Sequence, residues 1–157
     1  MQIGNELAAF LASPVMIIMG TCDSTGRPDI ARVVGARVES DAGAVELVLS
    51  AWQWPRAVVN VRTGGQVAVT FARPSDYVSY QVKGRAALRE ADEQALALSA
   101  RYMEDVSAVL VNLGLQRSVL DAWFTQREAV VVRLEVSAVY VQTPGAKAGR
   151  ALAARSG

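Results

Sequence analysis

Apolar positions along the chain change period several times, and each change marks an element. Ile3, Leu7 and Phe10-Leu11 recur at helical spacing and Ser13-Pro14 ends the run, which predicts a short opening helix. Val15 to Cys22 is instead a continuous apolar run closed by Asp23-Ser24-Thr25-Gly26, whose polar and glycine residues are turn chemistry. A second strand is expected from about Ile30 to Glu39. Asp41-Ala42-Gly43 then turns the chain into Val45-Glu46-Leu47-Val48-Leu49, where Val45, Leu47 and Leu49 share one face.

Ser50 to Arg56 is irregular, Ala57 to Arg62 has the length of one or two helical turns, and Gly64-Gly65 closes the segment. Gln66 to Ala72 reads as a strand, Arg73-Pro74-Ser75-Asp76 as a turn, and Tyr77 to Leu88 as another strand. Gly84 inside that last strand signals a bulge, a bend or a close backbone approach. Asp92 is placed to cap a helix carrying Leu96, Ala100, Met103 and Val106 and ended by Gly114, and a second helix is expected over Ser118 to Thr125. Glu128 to Gln142 returns to strand, since Val130, Val132, Leu134 and Val136 alternate with Val131, Arg133, Glu135 and Ser137. Residues 144–157 form a small, basic tail, expected to be mobile, after a single domain spanning 1–143.

Five hairpin-linked strands, a helical insertion and a returning sixth strand describe an α+β, mainly β protein. No strand-helix-strand alternation supports a parallel sheet. An antiparallel sheet of this size commonly closes into a barrel and so removes its edges.

Composition narrows the chemistry. The 157 residues suit one core, and with 52% hydrophobic and 20% charged residues the chain is globular rather than disordered. A formal charge of +1 gives no electrostatic footprint for nucleic acid. The start Met1-Gln2-Ile3-Gly4-Asn5-Glu6 lacks a secretion signal, Cys22 has no intrachain partner, and no apolar run approaches the roughly 20 residues of a membrane span. A cytoplasmic location away from the membrane is expected. There is no histidine, which removes the commonest metal ligand and general base together, and with them histidine-ligated haem and Ser-His-Asp or Cys-His nucleophiles. Difficult chemistry in such a chain belongs to an organic cofactor.

The segment Gly20-Thr21-Cys22-Asp23-Ser24-Thr25-Gly26-Arg27-Pro28 is followed by Arg32-Val33-Val34-Gly35, Asn60-Val61-Arg62 and Tyr80-Gln81-Val82-Lys83-Gly84-Arg85-Ala86. In that order and spacing they resemble the pyridoxamine 5′-phosphate oxidase-like, FMN-binding split-barrel superfamily, over roughly Phe10 to Val141. The resemblance implies an antiparallel six-stranded split barrel with a helical insertion before the last strand, a homodimer, and FMN in the clefts between barrels. It places Arg32 and Arg56 near the cofactor phosphate and the Val33 and Val34 backbone against the ring. Ser50 and Trp52 are implied to line ring or phosphate, and Gln81 to reach the flavin edge across the dimer. FMN is expected over FAD because no G-x-G-x-x-G fingerprint follows a strand.

Plainer readings stand beside these. Arg32 can be a solvated strand residue, Arg56 a helix-terminal one, and Trp52 and Trp54 packing residues. Lys83 and Arg85 read as a wet outer face, Cys22 as a small buried hydrophobe, and Tyr77, Tyr80 and Tyr102 as structural tyrosines. Lys147, Arg150 and Arg155 read as solvated. The chain departs from the named oxidases after Val141, where their substrate-binding Trp, Arg and His have no counterpart, so their substrate does not carry over. An FMN-dependent oxidoreductase acting on a small molecule with an electron donor, a non-catalytic flavin- or ligand-binding module, and a deazaflavin-dependent reductase all remain open.

Overall fold

Alternation of inward and outward side chains organises the strands Met16–Cys22, Gln66–Ala72 and Ser79–Glu90 in this computed structural model, which describes residues 1–39, 41 and 43–154, whereas the strand Ala44–Ser50 is buried throughout. Helix α1 (Asn5–Leu11) leads into β1 (Met16–Cys22), whose Ile17, Met19 and Thr21 point inward while Ile18 and Gly20 point out. Next come β2 (Pro28–Arg32), β3 (Ala36–Val38) and β4 (Ala44–Ser50), then α2 (Pro55–Thr63), β5 (Gln66–Ala72) and β6 (Ser79–Glu90). Helices α3 (Glu93–Asn112) and α4 (Arg117–Trp123) form the insertion, followed by β7 (Ala129–Val141) and β8 (Ala151–Ala154). All pairings are antiparallel, in the order β2-β1-β5-β6-β7-β4-β3. The fold is an α+β split barrel, as the pattern and the resemblance implied.

The single strand expected over Ile30 to Glu39 is broken, and the break closes the barrel. The Val33 N–H donates to the Ile17 carbonyl of β1 at 3.0 Å, whereas the Val34 N–H donates to Val48 of β4 at 2.8 Å, and Val48 returns a bond to Gly35. The chain thus leaves one strand and joins another within two residues. Counting β2 and β3 as one interrupted strand leaves the six expected barrel strands. Helix α3 crosses at this switch so closely that a Cβ on Gly35 would lie 3.2 Å from the Ser99 Cα.

Gly84 marks the close approach its position suggested. The β6–β7 register shifts between Lys83 and Gly84, and a Cβ at Gly84 would fall 1.9 Å from the Glu135 carbonyl oxygen. One end of the barrel is plugged by α2, which buries Ala57, Val58, Asn60 and Val61; the Asn60 amide donates to the Thr21 hydroxyl at 3.0 Å. Asp92 caps α3 as expected, accepting from the Ala95 N–H at 2.8 Å.

Three expectations need revision. Cys22 is exposed rather than buried, because β1 runs past the edge of the core there. Tyr77 belongs to the turn before β6, with φ of 61° and a 70% exposed side chain, because the chain reverses at Arg73–Asp76. The basic tail contributes a strand, since Ala151–Ala154 pair with β7. Ala42 in the expected turn and Arg155 in the tail lie outside the described residues.

The two halves of the barrel differ on their outer faces. Across β3, β4, β7 and β6 the outward residues are charged and paired: Arg37 and Arg89 both bind Glu46, Arg89 reaches Asp92, and Arg133 binds Glu39 and Glu135. Across β2, β1, β5, β6 and β7 the rows run Ile30, Gly20, Ala68, Lys83, Ala138 and Arg32, Ile18, Thr70, Gln81, Tyr140. Charge in these rows is confined to Arg32 and Lys83, and the rest is small, apolar or uncharged polar. No helix among the described residues is long and apolar enough to cross a membrane.

Candidate functional site

Strand β2 ends at Arg32, and the alternation that buries Ala31 turns Arg32 outward toward the insertion. Its guanidinium carbon lies 4.6 Å from the centre of the Trp123 ring and 5.8 Å from that of Phe124. Burial pushes this guanidinium below its ordinary value, and nearby Tyr102 acts weakly the other way. Among the described residues no carboxylate pairs with it. A half-buried cation without an anion is an uncompensated charge, which is the electrostatic condition for taking up an anionic group.

The other expected positions surround this point unevenly. Arg56 stands in the first turn of α2 behind Pro55, largely exposed, with its Nε 3.2 Å from Asp29 of β2. Asp29 and Arg32 are on the same strand, three residues apart and on opposite faces of it, so the ion pair ties Arg56 to the start of β2 and not to Arg32. Ser50 is 1% exposed and its hydroxyl is committed: it donates to the Arg127 carbonyl at 2.7 Å and accepts from the Gln53 N–H at 3.1 Å. Its work is to tie the β4–α2 loop to the segment before β7. Val33 and Val34 are fully buried, and both their N–H groups are spent on barrel closure. Trp52 is 50% exposed, with Arg127 stacked 4.4 Å over its ring. Trp54 packs against the core, as its plainer reading has it.

Gln81 sits on the outer face of β6, two residues from Lys83. Its amide nitrogen donates to the Thr70 hydroxyl at 3.2 Å, which orients the side chain and leaves its oxygen as an acceptor. Lys83 and Arg85 are exposed in the single chain. Arg32 is therefore linked through Trp123 and Gln53 to Ser50, Arg56 is tied instead to Asp29 at the start of β2, and Gln81 shares Arg32's face at a distance.

Sequence reasoning gave no role to Trp123, Phe124, Arg127 or Gln53. The Gln53 amide reaches the carbonyls of Ala122 and Trp123 at 3.4 and 3.5 Å, joining the β4–α2 loop to α4. Three buried polar atoms in these two segments lack a partner: Gln53 Oε1, Trp54 Nε1 and Gln126 Oε1. The one available signal was the adjacent pair Trp123-Phe124 at a helix end, which periodicity does not separate from core packing. Across Tyr102 from Arg32, α1, β3 and α3 enclose a cavity of about 380 Å³ that includes Arg37, Arg101, Asp105, Leu11 and Leu98. Tyr102 is buried, and its hydroxyl donates to the Val15 carbonyl at 2.7 Å, fixing the wall between the two places.

Known proteins share this architecture. HupZ of Group A Streptococcus superposes with a TM-score of 0.58 at 17% identity, covering 94% of this chain and 100% of its own. A putative pyridoxamine 5′-phosphate oxidase from Lactobacillus delbrueckii gives 0.56 at 18% identity, covering 88% and 93%. An F420 reductase gives 0.55 at 11% identity, covering 87% and 98%. At these identities the likeness is one of fold. No curated protein sequence matches the chain. The sequence profile of the pyridoxamine 5′-phosphate oxidase family, however, matches residues 3–143, which takes in the whole barrel, the insertion and every position around Arg32, and the chain accordingly belongs to that family.

Proposed function

We propose that the chain binds FMN at the Arg32 end of the barrel, in the cleft of a homodimer, and acts as a flavin-dependent oxidoreductase on a small molecule. The observation that carries this reading is the half-buried, carboxylate-free guanidinium of Arg32, which suits a phosphate better than it suits solvent. At the phosphate end Arg32 would be the principal contact, and Arg56 would join it only by leaving Asp29. At the ring edge the Gln81 oxygen is available, whereas the N–H groups of Val33 and Val34 are not. A bound flavin would supply electron or hydride transfer.

This chain's own residues would do the rest. Tyr102 and the aromatic pair at the end of α4 would exclude water from Arg32, and the cavity beyond Tyr102, walled by Arg101, Asp105 and the Glu46-paired Arg37, has room for a small reactant. The contrast between the two outer faces supports the dimer, because the ion-paired half is fit for water and the small-residue half for a second copy. The cytoplasmic location expected from the sequence agrees with a soluble redox enzyme.

Titration of the purified protein with FMN, riboflavin and FAD, followed by the cofactor's fluorescence, tests the reading. It expects tightest binding of FMN and bleaching of the bound yellow colour by NADH or NADPH. Binding of riboflavin as tight as FMN would remove the phosphate site. A protein that binds FMN but is never reduced would be a binding module.

A further inference from the structure

We infer that Trp123 is a positioning residue for Arg32, holding its guanidinium in the plane in which a phosphate can take it; this rests on the FMN reading above. The insertion that carries Trp123 has a second duty in the structure, since α3 seals the strand switch at Gly35. Helix α4 is short, has no side-chain cap, and buries only Leu120 of its own residues. Trp123, at its last position, packs partly buried against the core, a role that any large apolar side chain would fill. What an indole adds there is its face, which meets the one half-buried arginine of the site at 4.6 Å.

The physical case is a comparison of costs. Arg32 loses hydration where β2 ends, and no carboxylate among the described residues repays that loss. An aromatic face repays part of it through the ring quadrupole, and an indole is the best of the aromatic faces. A guanidinium held against a ring keeps its N–H groups at the rim of its plane, pointing sideways. The fork that recognises phosphate therefore stays open while the face of the cation is covered. A carboxylate in the same place would neutralise the charge but consume the fork.

The aromatic support is itself anchored. Phe124, next to Trp123, lies 5.8 Å from the same guanidinium and packs edge-to-face on Tyr102 with ring centres 6.4 Å apart. Tyr102 is held by its bond to Val15. Gln53 steadies the Trp123 backbone from the β4–α2 loop. Every link in that series ends on Arg32, so the insertion works as a holder for one arginine.

The test titrates FMN and riboflavin into the parent, Trp123→Leu, Trp123→Phe, Arg32→Ala and the Trp123→Leu/Arg32→Ala double variant, each checked for a native circular-dichroism spectrum. An aromatic–cation contact of this kind corresponds to about 3- to 30-fold in affinity. Trp123→Leu should weaken FMN by that factor and leave riboflavin unchanged, Trp123→Phe should recover most of the loss, and the double variant should bind FMN no worse than Arg32→Ala alone. Equal losses for FMN and riboflavin, no loss in Trp123→Leu, or additive losses in the double variant would each overturn the inference while the FMN reading stands. If Trp123→Leu does not fold, Trp123→Phe and Trp123→Tyr decide it: both must keep the parent's preference for FMN over riboflavin, and loss of that preference in either overturns the inference. A parent that ignores FMN overturns both.

Discussion

Arg32 and Gln81 stand in one cross-strand row, with Ile18 and Thr70 between them, although 48 positions of sequence separate the two numbers. Three strand intervals place them roughly 14 Å apart on the same face of the sheet. One is an uncompensated cation and the other presents an amide oxygen, so they meet opposite ends of any ligand laid along the row.

Their substitutions should separate accordingly. A charge-assisted hydrogen bond is worth roughly 1.5–3 kcal/mol, so Arg32→Ala should weaken FMN about 10- to 150-fold and leave riboflavin nearly unaffected. Gln81→Ala, which touches no phosphate, should weaken both ligands together by about 2- to 10-fold. Arg56→Ala should cost less than Arg32→Ala because Arg56 already has Asp29 as a partner and is largely exposed. Isothermal titration with both ligands checks all three, and a riboflavin loss in Arg32→Ala equal to the FMN loss would refute the assignment.

Much of the barrel was legible because its strands obey a period of two and its turns use glycine, proline and aspartate. Gly84 and Asp92 were readable individually, one as a close approach and the other as a cap. The break at Val33–Gly35 was hidden, since Val33 and Val34 are apolar and β-branched and continue the strand pattern; only the hydrogen bonds to Ile17 and Val48 reveal the switch. At the site, family resemblance pointed to Arg32, but its aromatic support comes from an insertion about ninety residues later, which no local pattern connects to β2. Ser50 illustrates the reverse case: a serine after a strand looks available, yet its hydroxyl is consumed by Arg127 and Gln53.

Gly84→Ala should destabilise the fold by about 2–4 kcal/mol, because the new methyl group meets backbone at 1.9 Å and neither strand can yield without breaking the β6–β7 ladder. Urea denaturation followed by tryptophan fluorescence measures this. A midpoint within error of the parent's would show that the bulge can open freely.

Glu46 gives the stability a defined acid limb. Burial works to raise its carboxyl pKa, but hydrogen bonds and charge from Arg89 and Arg37 outweigh it and hold the group below its ordinary 4.5. Arg133 faces it from β7 in the cross-strand register. A depressed folded-state pKa means that the stabilisation is complete above about 4.5 and is lost as pH falls through the lower, folded value. Glu46→Gln should therefore be less stable than the parent at pH 7, with the gap narrowing below pH 4.5. Thermal melts of both proteins across pH 3 to 8 check the sign; a gap that widens on acidification would contradict it.

Ala68→Glu tests the partner surface. Ala68 lies between Gly20 and Lys83 in the small-residue row, outward and only partly buried, so a single chain has room for the new side chain and offers Lys83 as its neighbour. Folding should survive. In a dimer built on this face the same carboxylate would be buried against a second copy, where an ionised group without a dedicated partner costs several kcal/mol. Sedimentation velocity at micromolar concentration should show a dimer for the parent and a monomer for the variant, with similar melting temperatures at matched subunit concentration only if the barrel is stable alone. FMN affinity should fall with the dimer, because the proposed cleft needs both barrels. A variant that remains dimeric places the interface on another face, and one that becomes monomeric yet binds FMN as tightly as the parent places the whole cofactor site within a single chain.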